Sequence, residues 1–180
     1  MKIKILTYCF ICIAFQACKS NQVEKATIWS QNIKRKIIED SNQQLTKVIF
    51  DSIRNTTIYF SRDIKLKSYQ LRNHFDSSSN RLYRDTLVSI FYSTDQIFEL
   101  VRELCPGNSR SFEGIRYKGN HFGLAEFRYC DGKIKERGFR YNNKEIGVWT
   151  EYDSIGNVIR TTDKGNSERL DKLLSIKYYR

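Results

Sequence analysis

The back third of this 180-residue chain repeats itself, and the length of the repeat limits what it can fold into. A shift of 24 residues aligns Gly114-Ile115-Arg116-Tyr117 with Gly138-Phe139-Arg140-Tyr141, Gly123 with Gly147, and Gly132 with Gly156. Half that period is present too, because Arg116-Tyr117, Arg128-Tyr129 and Arg140-Tyr141 stand 12 apart. One strand and one turn fill such a half-period, so the full unit is one β-hairpin plus its connection. Lys118-Gly119-Asn120, Asp131-Gly132, Asn142-Asn143 and Gly156-Asn157 supply residues that tolerate positive φ between the strands. In residues 123–129, Ala125, Phe127 and Tyr129 alternate with Glu126 and Arg128, which gives the sheet one apolar and one wet side. Trp149 and Tyr152 are three apart, so a regular strand points them to opposite faces unless a bulge intervenes.

Two stretches carry a family resemblance: Tyr129-Cys130-Asp131-Gly132-Lys133-Ile134-Lys135, and residues 147–159 with Gly147, Trp149, Tyr152, Gly156 and Ile159. They resemble the MORN-variant unit, which runs Gly-x-Trp-x-x-Tyr, then a Gly-containing turn, then a polar and an aliphatic residue. The second copy follows the pattern, whereas the first has Ala125 in place of the Trp and Arg128 in place of the Tyr. The resemblance covers about residues 86–165. It implies an elongated single layer of β-hairpins, and an antitoxin label attached to some members.

Upstream, Trp29, Ile33 and Ile37 recur every four residues, and Leu45, Val48, Ile49 and Ile53 continue an apolar stripe. These predict one or two helices over residues 27–54, with the Lys34-Arg35-Lys36 cluster mostly on the solvated side. From Asn55 the period changes: Thr57-Ile58-Tyr59-Phe60 and Lys65-Leu66-Lys67-Ser68-Tyr69 read as strands, and residues 76–80 as a loop. Residues 86–92 and 97–104 form a predicted hairpin about a turn at 93–96, and Pro106-Gly107-Asn108 mark another loop. The class is therefore α+β, an N-terminal helical segment followed by an antiparallel β-hairpin meander over residues 55–180.

The N-terminus reads as a targeting signal, with Lys2 and Lys4 ahead of an apolar run over residues 5–15. That run is short of the roughly 20 apolar residues a membrane-spanning helix needs. It closes on Phe15-Gln16-Ala17-Cys18, which resembles the relaxed lipobox of bacterial lipoproteins of the Bacteroidetes type. The resemblance implies cleavage of residues 1–17 as a signal peptide and lipidation of Cys18, with residues 18–26 as a polar tether. An ordinary signal peptide cut nearby, or an uncleaved anchor, is the alternative. Lys19 in place of an aspartate, and no acidic cluster in Lys19-Ser20-Asn21-Gln22, favour the outer membrane facing the periplasm.

Removing residues 1–17 takes away Lys2 and Lys4 and no acid, so the formal charge falls from +11 to +9. For an exported chain this basic balance points away from nucleic acid and toward anionic lipid, an acidic protein, or no specific ligand. Cys105 and Cys130 are the pair left to an oxidising compartment, as a disulfide or as thiols. Cys105 or Cys130 with His121, read as an exposed turn residue, is the one conceivable nucleophilic set. The sequence carries no phosphate loop, no Gly-x-Ser-x-Gly and no metal-binding histidine pair. No cofactor or metal is expected. The expectation is a non-catalytic membrane-attached protein whose candidate binding residues are Arg116, Arg128, Arg140, Trp149 and Tyr152. Its partner is an unknown protein or, as the alternative, anionic lipid; the aromatic residues can equally serve only to fill the buried face.

Overall fold

The computed structural model describes residues 3–76, 81–92, 97–105 and 110–176. The chain order is α1 (Ile3–Asp40), β1 (Lys47–Asp51), β2 (Thr56–Ser61), β3 (Ile64–Asp76), β4 (Arg81–Phe91), β5 (Phe98–Leu104), β6 (Arg110–Tyr117), β7 (Asn120–Arg128), β8 (Ile134–Tyr141), β9 (Lys144–Tyr152), β10 (Val158–Asp163) and α2 (Arg169–Leu174). Among the described residues, the ten strands form a single antiparallel sheet in sequence order. The architecture is thus an α+β meander. The predicted turn at 93–96, residues 77–80 of the predicted loop, and Pro106-Gly107-Asn108 lie outside the described residues.

Short hairpins set this order. Tyr117 pairs with Asn120 and Tyr141 with Lys144, leaving two-residue turns whose central residues all have positive φ: Lys118 and Gly119, Asn142 and Asn143. Turns of that hand match the twist of the flanking strands and keep neighbours antiparallel. The turn after β9 is held differently, by Asp153 Oδ1 accepting from the amides of Ile155, Gly156 and Asn157.

Both helices cover one face of the sheet. Ala26, Trp29, Ile33 and Ile37 of α1 and Leu170 and Leu173 of α2 form a single core with Val88, Ile90, Phe98, Leu100, Ile115, Leu124, Phe139 and Ile146. The four-residue spacing of Trp29, Ile33 and Ile37 thus marks the buried stripe of a helix, as expected.

The structure differs from the sequence reading in four places. Residues 19–26 are helical instead of a tether, and Ala26 is fully buried, since a small side chain lets α1 lie close to its neighbours. The helical stripe expected through residue 54 stops at Asp40, and Lys47–Asp51 pairs with β2 as an edge strand. Leu45, Val48, Ile49 and Ile53 fit a helical spacing, but Val48-Ile49-Phe50 is also a β-branched and aromatic run, and long-range pairing settled the ambiguity. Residues 169–174, placed in the β region, form α2 because Leu170 and Leu173 close one helical turn against α1. Finally, Lys34 is buried, with its ammonium 3.1 Å from Glu113 and 3.9 Å from Glu126.

The 24-residue repeat is a repeated bulge. Glu113 pairs with Glu126 and Ile115 with Phe122, so Gly114 stands opposite the three residues 123–125. Arg137 pairs with Thr150 and Phe139 with Ile146, so Gly138 stands opposite 147–149 in the same way. Each bulge turns on a glycine with positive φ, +75° at Gly123 and +61° at Gly147. The first bulge also admits the helix: the Ser30 hydroxyl accepts from the Leu124 amide at 2.9 Å and donates to the Ala26 carbonyl.

Candidate functional site

The face of the sheet away from the helices carries an organised polar surface. A small second core lies there, with Val101, Phe112, Ala125 and Trp149 buried and Leu87 and Phe127 packed beside them. Trp149 is only 1% exposed although no described helix covers this side. Its indole lies over the bare backbone of Gly138, where an added Cβ would stand closer than 3.0 Å to three ring atoms. Its Nε1 donates to the Phe139 carbonyl at 3.2 Å. In the first copy the smaller Ala125 takes the Trp position, and the Phe112 ring folds over Gly114 to fill the space.

A charged row crosses this floor from β5 to Lys164, just after β10. Glu99 is the register partner of Arg116, Arg116 of His121, and Arg140 of Glu145. The Arg116 guanidinium lies 3.7 Å from Glu99 and its Nε donates to His121 Nε2 at 3.4 Å. Arg140 lies 3.5 Å from Glu145, which also takes Lys164 at 2.9 Å. The Arg140 guanidinium sits over Phe127 and Trp149, 5.4 and 5.6 Å from the ring centroids. Such stacking holds the cation flat against the rings and helps exclude water from them. Burial, and then the charges of Arg116 and Arg140, push His121 down to about 4, so this histidine is neutral near pH 7.

The five candidate binding residues do not form one surface. Arg116 and Arg140 share the open face, one repeat apart, and Trp149 is its floor. Arg128 is half a period away and belongs to the helix side, where it reaches Glu126 at 3.1 Å and donates to the Gly132 carbonyl. Tyr152 is half-buried on that same side, with the Arg137 guanidinium 5.7 Å from its ring centroid. Trp149 and Tyr152 do point to opposite faces, and the nearby register shift lies in β10 between Val158 and Arg160. Tyr117 and Tyr141 pack against the helix-side core. His121 is not a turn residue: it lies in β7, half-buried, with its ring edge-on to Phe112.

The Cys–His arrangement has no basis in the fold, because Cys105 and Cys130 are joined as a disulfide with their Cα atoms 5.8 Å apart. The bridge ties the end of β5 to the residues following β7. Among the described residues, one strongly perturbed acid, Glu113, is structural. Burial would raise Glu113, but Lys34 and Arg102 outweigh it and hold its carboxyl at about 2. The sequence puts Lys34 on the solvated side and His121 in a turn and does not single out Glu113; no local signal gives their real places, since each has its partners on other elements. Among the described residues no group of three or more His, Cys, Asp or Glu side chains is arranged to hold a metal ion, and no helix is long and apolar enough to cross a membrane.

No protein-family model matches the chain, and no curated protein or solved structure matches it.

Proposed function

We propose that the chain is a non-catalytic envelope lipoprotein, anchored through lipid on Cys18 at the periplasmic side of the outer membrane. In this reading its MORN-like sheet binds a protein, in the manner of an antitoxin or immunity protein. One observation carries the binding part: the row Glu99, Arg116, His121, Arg140, Glu145 and Lys164 lies over an aromatic floor on the face the described helices leave open. Arginine and aromatic groups held rigidly in place are what protein interfaces use as anchors, because little side-chain entropy is left to lose. Carboxylates standing beside the guanidiniums favour a protein of mixed charge over a uniformly anionic lipid surface, whose phosphates would meet Glu99 and Glu145 as well. The anchoring part rests on the apolar run ending at Cys18 and on the basic residues ahead of it.

The test has two arms. Metabolic labelling of the full chain with an alkyne fatty acid should mark it, and Cys18→Ser should remove the label; an unlabelled parent refutes the anchor. Affinity capture from envelopes at low and high salt should recover a stoichiometric protein from the parent and none from Arg116→Glu/Arg140→Glu. Recovery of anionic lipid alone, lost at high salt, would replace the protein partner with the membrane surface.

A further inference from the structure

The helix side of the sheet contains a cavity that the open face does not involve. It has a volume of about 230 Å³ and lies between Val23 and Thr27 of α1, Leu170 of α2, and Leu124, Phe139 and Thr150 of the sheet. A smaller space of about 50 Å³ shares Val23, Gly147, Val148 and Leu170 with it and extends to Gln22 and Asp163. Gly147 contributes no side chain to this space, and a Cβ there would meet nothing within 4 Å. Gln22, which lines the smaller space, ties α1 to α2, its amide donating to both oxygens of Asp171 at 3.0 Å.

The walls are aliphatic and aromatic apart from two threonines, and one cation stands among them. Arg137 lines the cavity, is exposed, and stacks near Tyr152. Its cross-strand partner is Glu126, yet that carboxylate is engaged by Arg128 at 3.1 Å and faces Lys34 at 3.9 Å. Among the described residues, no carboxylate lies within ion-pair distance of the Arg137 guanidinium. An apolar cavity is poor accommodation for water and gains by taking an apolar chain. A guanidinium with no acid beside it favours an oxyanion.

We infer that this cavity binds a single-chain anionic amphiphile such as a medium-chain carboxylate, whose tail suits its volume of about 230 Å³. Its tail lies among Val23, Leu124, Phe139 and Leu170, and its head meets Arg137. The site is independent of the protein-binding face, since none of its lining residues belongs to the charged row.

The test uses the full chain in phosphatidylcholine nanodiscs, titrated with decanoate and with methyl decanoate by isothermal titration calorimetry, with empty discs as the blank. The parent should bind one equivalent of the acid saturably above the blank. Arg137→Gln should weaken the acid about tenfold, as expected for loss of a charged hydrogen bond, and leave the ester unchanged. Thr27→Trp, which fills the cavity, should abolish both. Arg137 is exposed, so its variant tests the idea even if the tryptophan variant does not fold. A signal equal to that of empty discs, or equal weakening of acid and ester by Arg137→Gln, overturns the assignment.

Discussion

Replacing Gly138 by alanine adds one methyl group and tests whether an indole ring lies over this strand. Gly138 has no positive φ, so alanine suits the backbone, and the whole penalty comes from the Trp149 ring closer than 3.0 Å. Those contacts are with Cγ, Cδ2 and Cε2, the fused part of the indole, which cannot swing aside like the end of a flexible chain. If the ring stays and strains, overpacking costs about 1–3 kcal/mol. If it is expelled, roughly 200 Å² of buried aromatic surface at about 25 cal/mol per Å² is lost, near 5 kcal/mol. The hydrogen bond to Phe139 would then go as well, while the stiffer unfolded chain returns about 0.4–1 kcal/mol. The net expectation is a loss of about 3 kcal/mol, or roughly 6–12 °C in Tm for a chain of this length. Urea unfolding followed by circular dichroism measures it, and Trp29→Phe isolates the Trp149 fluorescence, because the chain has two tryptophans. Gly114→Ala should cost less, since it meets the tip of the Phe112 ring at 2.7 Å. In a Trp149→Ala background Gly138→Ala should become nearly neutral, a coupling a double-mutant cycle reads directly. A Gly138→Ala protein within about 0.5 kcal/mol of its parent, with unshifted Trp149 emission, would refute the packing.

Three further outcomes follow from the same structure. Ser30→Ala leaves the buried Leu124 amide without its acceptor and should lower stability by about 1–3 kcal/mol in denaturant titration. Glu113, held at about 2 against an ordinary 4.5, contributes stability that is full above pH 4.5 and lost as pH falls toward 2. The difference corresponds to about 3 kcal/mol, so Glu113→Gln should flatten the acid limb of a stability–pH curve; an unchanged limb excludes this ion pair as its source. Reducing Cys105–Cys130 opens a loop of sequence separation 25 and should cost about 3 kcal/mol. The thermal melt should fall accordingly under reductant, and Cys105→Ser/Cys130→Ser should become insensitive to it.

Much of the fold was legible because it is local. The 24-residue spacing, the Gly and Asn turns and the alternation in residues 123–129 each depend on neighbours in sequence, and a meander adds each strand beside the last. The α1 stripe was legible through Ile37 for the same reason. Residues 45–53 were misread because their apolar spacing suits both periods, and only pairing with β2 chose between them. The site was half visible. Arg116 and Arg140 were found as repeat equivalents, but Arg128 was grouped with them although it sits at the half-period, and Tyr152 was grouped with Trp149.

The sequence by itself determined the turns and the hairpin repeat, because backbone conformation and nearest-neighbour pairing are set within a few residues. Tertiary structure decided which face is closed and which is open. It buried Lys34 against Glu113, neutralised His121 between two arginines, laid Trp149 on Gly138, and left a cavity beneath the two helices. Each of these depends on charges and volumes brought together from distant parts of the chain, where desolvation and close packing act only after the sheet has formed.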